Sequence, residues 1–433
     1  MSGLTVEKSK QSVFEKLQPW LVVFSAALFF FFEFINMNSF DAFNDALRQA
    51  FKVDALAISN MSAMYFYANV LFLIPAGLLL DRFSTKKLLM TAMTVCIISN
   101  FVFAHSDSFL VAKLCRFVTG MGSTLCLLSC ALLTSRWFPP RHAALVMGLV
   151  VTMAMLGGVV AQQIVGLTPI LGDWRHVIAA ISGLGILFLI IIALFVKNFP
   201  REVARLQQES QEKLHMAGFW RSFGLALSNP QNWIGGIYSN LLALPVIVLG
   251  ALWGKDYLMT VHGLSADQAV NVTSMIFIGT LIGSPVMGWI SDQIKRRRMP
   301  MVLGAIFTCL TMIVILYNRH LSYSELMTGF FLLGLLSGSQ VITFAVVMEV
   351  NPRHVTASSE SLSATIIMSC GAIFQPLFGY IMHEYWDGKI SNGIPVYNLA
   401  SFHHAMLILP IAFAVSIVMA MLIKETFCQV QNP

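Results

Sequence analysis

The chain has 433 residues, of which 57% are hydrophobic and only 11% charged, where a soluble domain carries about 25% charged residues. That composition excludes an ordinary soluble enzyme, and it excludes a disordered chain, which needs low hydrophobicity and high charge. The net charge of +6 rests on 27 Lys and Arg, too dilute for a surface that tracks nucleic-acid phosphates.

The first eleven residues are polar and mixed in charge. The apolar run that follows is long and has no small-residue cleavage site, so it reads as a first span and not as a removed signal peptide. A bilayer core needs about 20 apolar residues per helix. Runs of that kind fall near 20–40, 58–80, 88–104, 109–134, 143–167, 176–196, 233–253, 268–290, 300–317, 325–348, 360–382 and 404–423. A membrane β-barrel would alternate over segments of about ten residues, and these runs do not. The expected fold is an all-α membrane protein with twelve transmembrane helices. It divides into an N-terminal six-helix bundle (1–196), a cytoplasmic central loop (197–232) and a C-terminal six-helix bundle (233–433).

The side on which Lys and Arg collect sets orientation. With the N-terminus inside, inner segments hold 19 of them and outer segments 6, so both termini are expected in the cytoplasm. Six of the seven cysteines lie inside apolar runs and read as small apolar fillers. No Cys/His spacing suggests a metal site. No phosphate-binding Gly-rich loop or catalytic motif occurs, and no soluble stretch is long enough for a nucleotide-binding domain. Neither an enzyme nor a cofactor is expected.

The two halves resemble each other. Gly77 and Asp81 recur 211 residues later as Gly288 and Asp292, each pair after an even-numbered span. Pro140-Arg141-His142 recurs 212 residues later as Pro352-Arg353-His354. Two matches at nearly one offset indicate a duplicated six-span unit, and such repeats place a site at their interface near the midplane.

Polar residues inside spans are the candidate site. Glu33 follows four phenylalanines in span 1. A carboxylate at that depth costs about 2.5–3.5 kcal/mol on insertion scales, so it should face a cavity, find a cation or carry a proton. Asn36 and Phe40 share its helix face. Arg116 in span 4 is the natural counter-charge, able to grip a carboxylate in a fork. Gly120 and Gly122 would let a neighbouring helix approach closely. Tyr65, Tyr67 and Asn69 on span 2, and Gln162 on span 5, are further candidates. So are Tyr238 and Asn240 on span 7, Gln340 on span 10 and Gln375 on span 11. Each could touch a polar solute or simply bond a neighbouring helix. Glu349 and Glu360 are expected to pair with nearby basic residues.

The stretch Gly77, Asp81, Arg82, Lys86 and Lys87 resembles the signature of the major facilitator superfamily in the loop after span 2, and Arg116, Gly120 and Gly122 resemble its signature on span 4. Gly288, Asp292 and Arg296 form the second copy of the first motif. Within the superfamily, Y-F-Y-A-N-V-L-F-L-I-P-A-G-L-L-L-D-R-F and A-L-W-G-K-D-Y-L resemble a bacterial branch that includes phagosomal nutrient transporters and lies near lysosomal dipeptide carriers. The resemblance implies a secondary transporter that alternates access between two bundles, with Asp81 latching the cytoplasmic side against span 11. Antiporters of the superfamily usually carry a Gly-Pro pair in span 5, where this chain has Gly157-Gly158, so uptake is expected over export. A transport-dead sensor is a further alternative, disfavoured by short terminal segments. The expected partners are a small polar organic solute (amino acid, dipeptide or organic anion), protons and the lipid bilayer, with no nucleic acid. The chain is expected to act as a monomer in a bacterial inner membrane.

Overall fold

The computed structural model describes residues 13–138, 140–164, 168–199, 224–351, 356–391 and 394–429. Among the described residues, twelve helices are long and apolar enough to cross a membrane. Spans 1 to 6 are Leu17–Ala42, Ala55–Gly77, Thr85–His105, Phe109–Thr134, Val146–Gln163 and Trp174–Phe195. Spans 7 to 12 are Pro230–His262, Ala266–Gln293, Arg298–Tyr317, Tyr323–Val350, Ser359–Glu384 and Leu399–Leu422. The chain is therefore an integral multi-pass membrane protein, and its helical architecture is as expected. A two-residue antiparallel ladder, Ile390–Ser391 with Ile394–Pro395, interrupts it in the segment between spans 11 and 12. An even number of spans puts both described chain ends at one end of the molecule, the base; the opposite end is the crown.

Helix starts follow local sequence. Asp54, Ser84, Ser108, Asp173, Asn229 and Asn398 each accept a backbone N–H of the first turn, which relieves donors that have no intrahelical partner. Ser265 with Gln268 and Ser322 with Glu325 form reciprocal capping boxes. A short crown helix, Asn44–Phe51, joins spans 1 and 2 and ends on Lys52 in the left-handed region (φ 52°).

Span 7 runs past its expected end at 253. It changes from α to π winding over Pro245–Trp253 and resumes α winding over Gly254–His262. Pro245 brings no N–H to the α ladder, and the Gly254 N–H closes on the Leu249 carbonyl. A side chain at Gly254 would collide with that carbonyl and with Thr273.

Among the first six spans, span 1 packs on span 5, span 2 on span 4, and span 3 on spans 4 and 6. Among the last six, span 8 packs on span 10, span 9 on span 12, and span 7 on spans 11 and 12. The two sets meet through spans 2 and 11, 5 and 8, and 1 and 7. Shifting a span number by six turns the 2–11 contact into the 8–5 contact, so the packing has the two-fold relation that a duplicated unit implies.

Candidate substrate and gating site

Four helices of the first half bring the predicted polar residues of spans 1, 2 and 4 together. Glu33 is 1% exposed, and neither of its oxygens has a nitrogen or oxygen partner. The Cys96 thiol on span 3 and the Arg116 guanidinium on span 4 are the groups that act on it. Arg116, 3% exposed, donates from Nη1 to the Asn36 carbonyl at 3.1 Å and lies over the Phe40 ring at 4.0 Å and the Tyr65 ring at 5.1 Å. Its Nε and Nη2 have no acceptor. Asn100 on span 3, which the sequence did not single out, donates to the Asn36 side chain. Asn69 donates to the Gly120 carbonyl at 3.1 Å and to Ser123 Oγ at 2.8 Å, tying span 2 to span 4. That close approach needs Gly120, where a Cβ would fall within 3 Å of the Tyr65 backbone. The arrangement can offer two unpaired guanidinium nitrogens to an anion and a carboxylate to a proton or cation.

The remaining neutral candidates are placed as follows. Tyr238 donates to the Met301 carbonyl at 3.0 Å and bonds Ser339. Asn240 bonds the Ile366 carbonyl and Ser369. Gln375 donates to the Ile247 carbonyl at 2.8 Å. These bonds join helices of the second half. Gln162 instead crosses between halves, donating to the Gly250 carbonyl. Tyr67 and Gln340 are half-buried, and the Gln340 main-chain carbonyl accepts from Ser239.

Every hydrogen bond between described residues of the two halves lies toward the crown. Lys255, in span 7, donates its backbone N–H to Asp41 at 3.0 Å and its ammonium to the Ala42 carbonyl at 2.8 Å. Asn44 donates to the Leu252 carbonyl, and Arg48 to the Pro395 carbonyl. Trp253 donates to Ser59, the Ala55 N–H to Tyr397, and Gln163 to Asn271 and Ser274. His383 and Asp54 add an ion-pair contact at 3.6 Å. The crown is closed. Asp41, Arg48, Lys255 and Asp256 were missed as site residues because they stand at the ends of apolar runs, where charge is ordinary; tertiary contact buries all four.

The base differs. A Cβ added to Gly77 or to Gly288 would meet nothing within 4 Å. The side chains of Asp81 and Arg82 lie outside the described residues, as do those of residues 352–358 just before span 11, so the expected latch has no described geometry. Lys86 donates from Nζ to the Ala193 carbonyl at 2.5 Å and from its backbone N–H to Asn198, which ties it to the end of span 6; Lys87 is exposed. In the second copy Arg296 is exposed, and its neighbour Arg297 pairs with Asp292 at 2.6 Å and Glu349 at 2.7 Å. Burial opposes the Arg297 charge, but the two carboxylates outweigh it and push its pKa up. Glu425 caps span 9 by accepting the N–H groups of Arg297 and Arg298 at 2.8 and 3.1 Å.

Twelve spans in two six-helix sets related by a repeat, bonded to each other toward the crown, with ionisable residues buried between helices, define a polytopic membrane protein of the carrier type. The model of the Major Facilitator Superfamily matches residues 23–269 and again 236–427, and the chain belongs to that superfamily. It is similar to the hexuronate transporter of Bacillus subtilis (strain 168), 23% identical over 56% of each chain. It is also similar to the "Probable galactarate/D-glucarate transporter GudP" of the same organism, 21% identical over 84% of this chain and 86% of that one, and to the lysosomal dipeptide transporter MFSD1 of Danio rerio, 22% identical over 66% and 65%. In the first of these the match spans little more than half of the relative's length. Among solved structures, a bacterial homolog to the human lysosomal transporter Spinster, crystallised inward-facing and unoccupied, shares the fold with a TM-score of 0.70. It is 17% identical, with 95% of this chain and 96% of that one covered.

Proposed function

We propose that this protein is a secondary transporter that moves a small organic anion across a membrane by alternating access, with both termini cytoplasmic and the crown outside. The observation that carries the reading is Arg116. A guanidinium buried among apolar spans, with Nε and Nη2 unpaired, is expensive unless a partner comes and goes. A carboxylate suits that fork geometry. The relatives named for hexuronate and for galactarate/D-glucarate support this class, as does a citrate-proton symporter of Klebsiella pneumoniae, 25% identical over 48% of this chain. Glu33 beside it supports proton coupling: its unpaired oxygens give a proton a place that substrate charge can perturb. The same oxygens favour a second reading, in which Glu33 holds the ammonium of a zwitterion such as a dipeptide.

The deciding experiment is a thermal-shift screen of the purified protein against hexuronates, aldarates, citrate, amino acids and dipeptides, repeated on Arg116→Ala. Stabilisation by carboxylates alone, lost in Arg116→Ala, supports the anion reading. Stabilisation confined to zwitterions transfers the assignment to the second. A carboxylate response that survives Arg116→Ala overturns the role of Arg116.

A further inference from the structure

The crown contains a second group of ionisable residues, away from Glu33. A cavity of about 240 Å³ lies between the halves there, bounded by Asp45, Arg48, Asp256, Met259, Tyr397 and Phe402 among others. Asp256 is 6% exposed, and neither of its oxygens has a hydrogen-bond partner. The charged groups that act on it are Asp41 from span 1, Asp45 and Arg48 from the crown helix, and Lys255 beside it on span 7. Each of these has a contact of its own, although Asp41 Oδ2 and Arg48 Nε are without a partner. Asp41 takes the Lys255 N–H, and the Lys255 ammonium is spent on the Ala42 carbonyl. Asp45 stands 3.8 Å from Arg48, which also bonds the Pro395 carbonyl and lies over the Tyr397 ring at 4.9 Å. Asp54 and His383 form a contact of their own nearby.

Asp45 is 45% exposed and meets water, so the buried ions are Asp41, Asp256, Arg48 and Lys255, and of these Asp256 alone makes no hydrogen bond. Leaving a buried charge unpaired is strongly destabilising. Among the described residues no cluster could hold a metal ion in its place. A bound proton removes the charge that no donor meets. We propose that the closed crown binds a proton on Asp256, taken from crown-side solution as the halves meet and returned when they part. The site is separate from Glu33, on the opposite half and nearer the crown surface. It makes gate closure itself a proton-binding step: carboxylate plus proton gives the neutral acid that the closed cavity tolerates. Acid on the crown side therefore favours the closed crown. The inference rests on the alternating-access reading, but its test reads conformation and not transport.

The test uses the full chain in nanodiscs, with spin labels introduced as unnatural amino acids at exposed Lys52 and His320, one on each half at the crown. Pulsed dipolar distances are recorded from acid to alkaline pH. The wild type should pass from short to long distances as pH rises, with the steepness of one proton. Asp256→Asn, neutral at every pH, should stay short throughout, and Glu33→Gln should titrate like the wild type. Asp45→Asn, which removes a neighbouring negative charge and no bond between the halves, should move the midpoint to lower pH. A wild type whose distances ignore pH overturns the proposal, and so does an Asp256→Asn that titrates normally. Should Asp256→Asn not fold, an unmoved midpoint in Asp45→Asn overturns it alone. A titration lost in Glu33→Gln but kept in Asp256→Asn would move the proton to Glu33.

Discussion

Gln162 on span 5 donates its amide to the carbonyl of Gly250 at 2.5 Å, and Gln375, 213 residues later on span 11, donates to the carbonyl of Ile247 at 2.8 Å. The repeat thus supplies two equivalent glutamines that grip the π-wound stretch of span 7 from opposite halves. A hydrogen bond of this kind is worth about 0.5–1.5 kcal/mol net. Gln162→Leu should raise the ratio of crown-open to crown-closed molecules by a factor of about two to ten, measured by crown distances at fixed pH. Gln375→Leu acts within one half, so it should lower thermal stability and leave that ratio alone. Equal shifts from both would deny Gln162 its role between halves.

Glu33→Gln should abolish substrate accumulation driven by a pH gradient while sparing counterflow, which needs no net proton movement. Both are measured in proteoliposomes. Undiminished accumulation would leave Glu33 a structural residue and place coupling elsewhere.

Arg297 holds Glu349 through Nε and Nη2 and Asp292 through Nη1. Arg297→Ala strands Glu349, which is 11% exposed, and breaking a buried pair in this way costs about 3–5 kcal/mol. Arg297→Lys should recover only part of the loss, because an ammonium cannot reproduce the fork. Thermal unfolding of the purified variants checks both. An Arg297→Ala protein as stable as the wild type would make the cluster ornamental.

Asp173 accepts the backbone N–H of His176 at the start of span 6, and that bond holds its carboxyl below its ordinary value of 3.8. A group whose pKa is lowered on folding adds stability that is complete above the unfolded value and fades as pH falls through the folded one. Protection of the first turn of span 6 against hydrogen exchange, corrected for intrinsic rates, should therefore drop on acidification below that value. In Asp173→Asn, which keeps the acceptor without the charge, the drop should vanish.

Much of this was legible in the sequence, because lipid forces long apolar runs and the repeat preserved its offsets. The cluster of Glu33, Asn36 and Arg116 was legible for the same reason: polar groups deep in such runs stand out. What stayed hidden depended on contacts between distant spans. Arg48 and Lys255 read as loop charges until the crown buried them. Asp256 lay beyond the expected end of span 7, since an apolar run cannot show that its helix continues past it. That Tyr238 and Gln375 bond neighbouring helices was not legible, because a phenol or amide has the same local sequence whether a helix or a solute satisfies it. Arg296 was chosen over Arg297 because adjacent arginines are equivalent until a helix cap fixes which one turns inward.

The π winding of span 7 also bears on how this chain is compared with its relatives. An i→i+5 turn takes more residues than the 3.6 of an α turn. Every residue it adds rotates the rest of the helix by roughly 100°. An alignment that threads span 7 as unbroken α-helix without a gap would turn Lys255 and Asp256 away from the contacts they make and credit their places to neighbours. Any attempt to read the crown's chemistry across homologous chains has to settle first, chain by chain, how many residues lie between Pro245 and Gly254.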